Sequence, residues 1–165
     1  MHRHIDAGVA RPSGATGMTP RPALPDTVNI ATSQLMALRR TLGTLVAVGA
    51  AASAEADHKR EMHRRLDTLA RAQGDEAVQW ATLRVLLLLA RMTRIDGLLS
   101  LTLNVDEACT PLYRATSAFF RNGMVARDRL KPLADAVRAN DPGAARQAAD
   151  DYFSATEALM LAGLV

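Results

Sequence analysis

One cysteine among 165 residues leaves no internal disulfide to form, and a lone Cys109 suits a reducing compartment. Aromatic residues are only 4% of the chain, too few for a β-sandwich, which draws on aromatic and β-branched runs. Long hydrophobic runs are also missing. The densest, 85–90, is closed off by Arg84 and Arg91 and falls far short of the roughly 20 residues a membrane span requires. The first 25 residues carry positive charge but lack the apolar core of a secretory signal. Charge of one sign is scarce too. Lys and Arg number 20 against 17 Asp and Glu, a net +3, too small an excess to indicate nucleic-acid binding. These absences predict a cytoplasmic chain with no membrane contact and no direct contact with nucleic acid.

What is present is aliphatic. Apolar residues make up 48% of the sequence, enough to bury a core, and Ala and Leu dominate, which favours helices. Residues 1–30 read as a flexible leader, interrupted by Pro12, Pro20, Pro22 and Pro25 and loosened by Gly8, Gly14 and Gly17. The domain proper is expected over 31–165.

From Ser33 the pattern turns helical, with Leu35, Leu38, Leu42, Leu45 and Val46 at steps of three and four, Thr32 or Ser33 as the cap, and an end near Gly49. A second helix is predicted from Ser53 to about Gln73. Met62, Leu66 and Leu69 form its narrow apolar stripe, and its charges of both signs mark an outer, solvated helix. Its His58 and His63 are five apart, off the spacing of a helical metal pair. Asp75 is expected to cap a third helix over 76–94, apolar nearly all round and so central. A fourth runs from Leu98 towards Phe120 around Pro111, with Leu99, Leu103, Leu112, Ala115 and Phe119 proposed for the core. A fifth spans 125–139 with Leu130, Leu133, Ala134 and Val137 inward and Pro132 near its first turns. Asp141 and Pro142 start a last one lined by Ala145, Ala148, Tyr152, Ala155 or Thr156, and Leu159. The expected fold is an all-α antiparallel bundle of six to seven helices.

Three stretches resemble a known family. The run LADAVRANDPGAARQAADDYF at 133–153 is similar to the closing motif of the FCD domain, approximately I-x-D-A-I-x-A-G-D-x-x-A-A-x-x-A-M-x-x-H-L. LMALRRTL at 35–42 resembles its opening E-L-R-x-x-L-E helix, and LLLLARMT at 86–93 followed by GLL at 97–99 resembles F-H-x-x-L-A-x-A-S-G-N-x-L-L. The resemblance covers about 33–160. It implies the C-terminal effector-sensing and dimerisation domain of a GntR-family (FadR subfamily) transcription regulator, forming a homodimer and answering to a small carboxylate-type metabolite. In that family a winged helix-turn-helix of about 70 residues reads the operator. Only the Pro/Gly-rich leader precedes the bundle here, so DNA binding is expected to require a domain this chain lacks.

The departures from the family pattern concern its site. Many FCD domains hold a divalent metal through one Asp and three His; the matching positions here are Thr82, Leu86, Leu130 and Tyr152, none of them a carboxylate or imidazole ligand. No metal and no other cofactor is therefore expected. The polar Asn of the S-G-N step corresponds to Ile95. What remains for effector binding is Arg39, with Thr82, Arg84 and Tyr152. An arginine in an apolar cavity suits a carboxylate through two parallel hydrogen bonds. The competing assignment has Arg39 snorkelling to solvent and Tyr152 filling the core.

Catalysis has little to stand on. Cys109 has no partner marking it as a nucleophile. Asp106 and Glu107, being adjacent, point apart on a helix, as do Asp150 and Asp151, and no phosphate-loop or HExxH motif occurs. The sequence predicts no enzyme. The alternative function is a structural or adaptor bundle kept for dimerisation alone, with no ligand.

Overall fold

A computed structural model describes residues 26–115 and 122–162. Among them are six helices and no strand: α1 (Asp26–Ser53), α2 (Ala56–Arg71), α3 (Asp75–Met92), α4 (Leu98–Ala115), α5 (Gly123–Arg138) and α6 (Pro142–Ala162). The all-helical bundle expected from composition is what forms.

The first helix departs most from expectation. It begins at Asp26, inside the stretch expected to be a leader, and runs past Gly49 to Ser53. Thr32 and Ser33 are therefore interior residues, not caps. Gly49 does not end the helix because it serves packing: a β-carbon there would stand 3.0 Å from the Thr93 side chain. Residues 1–25, the rest of the expected leader, lie outside the described residues. Ile30–Ser53 has the length and apolarity of a membrane span although it contains no long unbroken apolar run. In the bundle this stretch packs against α3, α4, α5 and α6, burying Met36, Val46, Ala47, Ala50 and Ala51.

The amphipathic α2 buries Met62, Leu66 and Leu69 as its stripe requires and packs on α3 and α5. Its start is closed by a reciprocal pair, the Glu55 backbone amide donating to His58 Nδ1 at 3.5 Å, so His58 is a capping residue. Gly74 occupies the N-cap of α3 at φ 85°, a region open to glycine, which makes Asp75 the first helical residue and not the cap. The third helix is central as expected, contacting α1, α2, α4 and α5, and Gly97 (φ 86°) closes the turn into α4.

Two faces differ from the sequence reading. On α4, Leu99 and Leu103 are 36% and 42% exposed, and Leu98, Val105, Cys109 and Tyr113 are buried instead. Leucines at 98, 99, 101 and 103 offer apolar groups to every side, so periodicity does not choose a face. Leu112 packs half-buried against the core; the side chain of Ala115 and all of Phe119 lie outside the described residues. On α6, Thr156 rather than Ala155 is buried, and Phe153 and Met160 take the core places, leaving Leu159 40% exposed.

The remaining helix ends follow their punctuation. Asn122 caps α5 by accepting from Met124 and Val125 amides, so the helix starts two residues earlier than predicted and Pro132 sits in its interior. Asp141 Oδ1 accepts from the Ala144 amide at 2.9 Å at the head of α6. Between these helices Asn140, at φ 53°, donates to the Ala51 and Ala54 carbonyls, tying the α5–α6 turn to the end of α1.

Candidate functional site

One charged side chain is buried at the centre of the bundle. Arg39 is 7% exposed, on the face of α1 that also carries Met36, Leu42 and Val46. With the side chain this buried, the guanidinium does not snorkel to water. It donates through Nε to the Tyr113 hydroxyl at 3.3 Å and through Nη1 to Thr156 Oγ1 at 2.9 Å. The Phe153 ring lies 4.8 Å and the Tyr113 ring 5.8 Å from its Cζ, both within cation–π range. Burial weighs against the charge, but Tyr113, Tyr152 and Cys109 around it outweigh that cost and its pKa lies above the usual arginine value. Arg39 is cationic in the core.

Helix α4 supplies the opposing wall. Thr102, Val105, Asp106, Cys109 and Tyr113 recur at three- and four-residue steps, one face of a helix. The Tyr113 hydroxyl, while accepting from Arg39, donates to Asp106 Oδ1 at 2.8 Å. Arg39 and Asp106 are thus linked through a phenol and form no direct ion pair. Burial raises the Asp106 pKa above the usual carboxylate value, against the opposing pull of the Tyr113 hydrogen bond and the Arg39 charge. Burial also raises Tyr113 well above a normal phenol and pushes the Cys109 thiol up to about 11. Cys109 is a core residue, with no thiolate to offer as a nucleophile.

Between α1, α3, α4 and α6 these groups border a small cavity, about 30 Å³, whose wall includes Arg39, Leu86, Thr102, Asp106 and Phe153. That volume admits about one water-sized group. On the outer side of Asp106 and Tyr113 lies a far wider groove, about 990 Å³, between the start of α3 and the middle of α4. Asp106 borders both spaces.

The four residues singled out from sequence are not one constellation. Arg39 is at the centre. Tyr152 is buried beside it, its pKa raised by burial against the charges of Arg39 and Arg129, and its ring meets Phe153 edge-on at 5.1 Å. Thr82 is buried, its hydroxyl without a hydrogen-bond partner among the described residues, but it does not border the Arg39 cavity. Arg84 lies apart from Arg39: it is exposed and faces Glu61, Arg64 and Arg65 on the α2 side, where its carbonyl accepts from Arg65. On α3 it lies two residues from the cavity-lining Leu86, about 200° around the helix axis. Ile95 is exposed in the α3–α4 turn.

Sequence reasoning missed Asp106, Tyr113, Phe153 and Thr156. Asp106 and Tyr113 are seven apart, which places them on one helical face, and Tyr113 is one of only two tyrosines. That was the available signal. Phe153 was obscured by the choice of Tyr152 as the marker of the inward face, and Thr156 was named only as an alternative to Ala155 in lining the last helix.

Residues 34–155 match the family model of the FCD domain. No curated protein matches the chain.

Proposed function

The chain belongs to the FCD-domain family, the effector-binding domain of GntR-type transcription regulators, and on that premise we propose that it senses a small carboxylate through Arg39. The observation that carries this reading is a buried cation without a direct ion pair: Arg39 has hydroxyl partners and, among the described residues, meets the Asp106 charge only through Tyr113. Burial is the largest single influence against the Arg39 charge, and a carboxylate accepting two parallel N–H bonds offsets it directly. The two named bonds occupy two of the five guanidinium donors.

The cavity's size adds a conformational requirement. Room for a water-sized group does not hold a carboxylic acid, so binding must favour a wider arrangement of α1, α4 and α6. A ligand that binds the wider state better shifts the population towards it, which is what an effector does to a regulator. The same small volume favours a second reading, the ligand-free adaptor bundle, in which the Arg39 network is only a polar staple.

The family's metal does not fit. Leu86 and Leu130 offer no donor atom. Burial holds the Tyr152 hydroxyl protonated, and a neutral Thr82 hydroxyl is a poor ligand for a divalent ion. Among the described residues no group of three His, Cys, Asp or Glu side chains is placed to hold a metal. We place the function in recognition rather than catalysis, in the cytoplasm, and in a homodimer. Leu38 and Leu45, both exposed and seven apart on α1, give that helix an apolar outer stripe suited to a second copy.

A thermal-shift screen against small carboxylates, with and without divalent metals, tests the sensing role, because a ligand for the folded state stabilises it by mass action. A metal-independent shift that disappears in Arg39→Met is expected. No shift with any carboxylate would leave the adaptor reading.

A further inference from the structure

Arg39 is not the only charged group here without a direct ion pair. Asp106 forms no ion pair among the described residues; its carboxylate accepts only from the Tyr113 hydroxyl. Cation and anion stand on either side of one phenolic oxygen, 3.3 Å from Arg39 Nε and 2.8 Å from Asp106 Oδ1. Two opposite charges held that close, each bonded to a neutral hydroxyl, match a ligand carrying both charges a bond or two apart.

The outer groove has the chemistry for the positive end. Asp75, Glu76, Asp106 and Glu107 border it, no Lys or Arg among the described residues does, and Trp80 stands in its wall 57% exposed. Carboxylates around an open indole face attract ammonium groups. A simple organic anion would be repelled by the same groove on its way to Arg39.

Resting on the carboxylate reading above, we infer that the effector is a zwitterion, an amino acid or a close relative. Its carboxylate meets Arg39, its ammonium meets Asp106, and its remaining part extends along the groove past Trp80. The inserted ligand replaces the Tyr113 bridge with two charge-assisted contacts. Specificity then comes from the pair: an anion alone leaves Asp106 repelling it, and an amine alone leaves Arg39 unpaired.

The full chain is titrated with alanine, 2-aminobutyrate and leucine, each beside its deaminated counterpart (propionate, butyrate, 4-methylpentanoate) and beside propylamine. Calorimetry and the fluorescence of the single Trp80 are followed together. At least one amino acid is expected to bind about tenfold or more tightly than its deaminated partner, the scale of one charge-assisted contact, with a change in Trp80 emission. Asp106→Asn, which keeps an oxygen for Tyr113, should erase that preference. Equal or tighter binding of the deaminated acids overturns the zwitterion while leaving the carboxylate reading intact. Binding by none of the acids, with or without the amino group, overturns both. Binding of propylamine as tight as that of the amino acids, unaffected by Arg39→Met, makes the groove a cation site and also overturns the zwitterion.

Discussion

The Phe153 ring lies 4.8 Å from Cζ of Arg39, and it reaches that position only because α1 carries glycine at 43. A β-carbon at Gly43 would stand 2.0 Å from the Phe153 ring edge. The close approach of α1 and α6 and the covering of the buried cation are therefore one feature.

Gly43→Ala sets two effects against each other. Alanine favours the helix by about 1 kcal/mol, while forcing a methyl into a packed ring costs about 1–3 kcal/mol and shifts the helices. Net destabilisation is expected in urea unfolding. Phe153→Leu, which removes the ring, should make Gly43→Ala less costly in the double variant than in the single one. Additive losses would show that the ring is free to move aside.

Arg39→Met leaves Tyr113 and Thr156 with partners and takes a hydrogen bond only from the buried Tyr152. Tyr113 retains Asp106 as acceptor, and Thr156 Oγ1 retains the Phe153 carbonyl at 3.0 Å. Removing a buried charge that makes no direct ion pair also removes its desolvation cost, and Asp106, which loses the Arg39 charge, keeps its Tyr113 hydrogen bond. Unfolding stability within about 1–2 kcal/mol of the parent, or above it, is expected, together with loss of any carboxylate-induced shift. A collapse of the fold would mean that Arg39 serves structure first.

Asp106 makes stability depend on pH in the less common sense. Its folded pKa is raised above the usual 3.8, so between those two values the folded chain holds a proton that the unfolded chain has lost. The contribution of this group falls as pH rises through that window. Glu61 and Asp135 act oppositely, because hydrogen bonds from Arg65 and Lys131 lower their pKa values, and their contribution is lost as pH falls through the lowered values. Asp106→Asn should therefore gain stability over the parent as pH climbs from the usual carboxylate value, and the difference should level off once Asp106 is ionised in the fold. Urea unfolding at pH 3.5, 5 and 7 measures it. A gain that is largest at pH 3.5 would reverse the assignment.

The bundle was legible from its punctuation and the site was not. Met62, Leu66 and Leu69 stood out because charges surround them on α2, and Asp141–Pro142 marks a helix start wherever it falls. On α4 and α6 apolar residues point every way, so Leu103 and Leu159 were as plausible as Val105 and Met160, and only packing against the neighbouring helices decides. Arg39 was found because it is a charge in an apolar stripe. Asp106 was set aside because pairing it with its neighbour Glu107 is geometrically wrong, when its partner is Tyr113, two turns along the same face. Arg84 lies away from the cavity for the converse reason. It is close to Leu86 in sequence, but two residues turn a helix by about 200° and deliver it to the opposite side.

Gly123 tests the junction between α2 and α5. Its amide donates to the Ala72 carbonyl at 3.2 Å, and a β-carbon there would fall 1.9 Å from the Leu69 carbonyl oxygen and 2.6 Å from that of Ala72. These are backbone atoms at the end of α2, so unlike the Phe153 ring they cannot rotate away. Gly123→Ala should cost about 3 kcal/mol or more, at the upper end for overpacking. Asn122→Ala removes only the side-chain cap of the same helix and should cost about 1 kcal/mol. The order of the two losses in urea unfolding is the discriminating result. If Asn122→Ala were the worse, the head of α5 would depend on its cap more than on contact with α2. A near-neutral Gly123→Ala would mean that the two helices separate at little cost, and this end of the bundle would then be the one free to move when a ligand widens the centre.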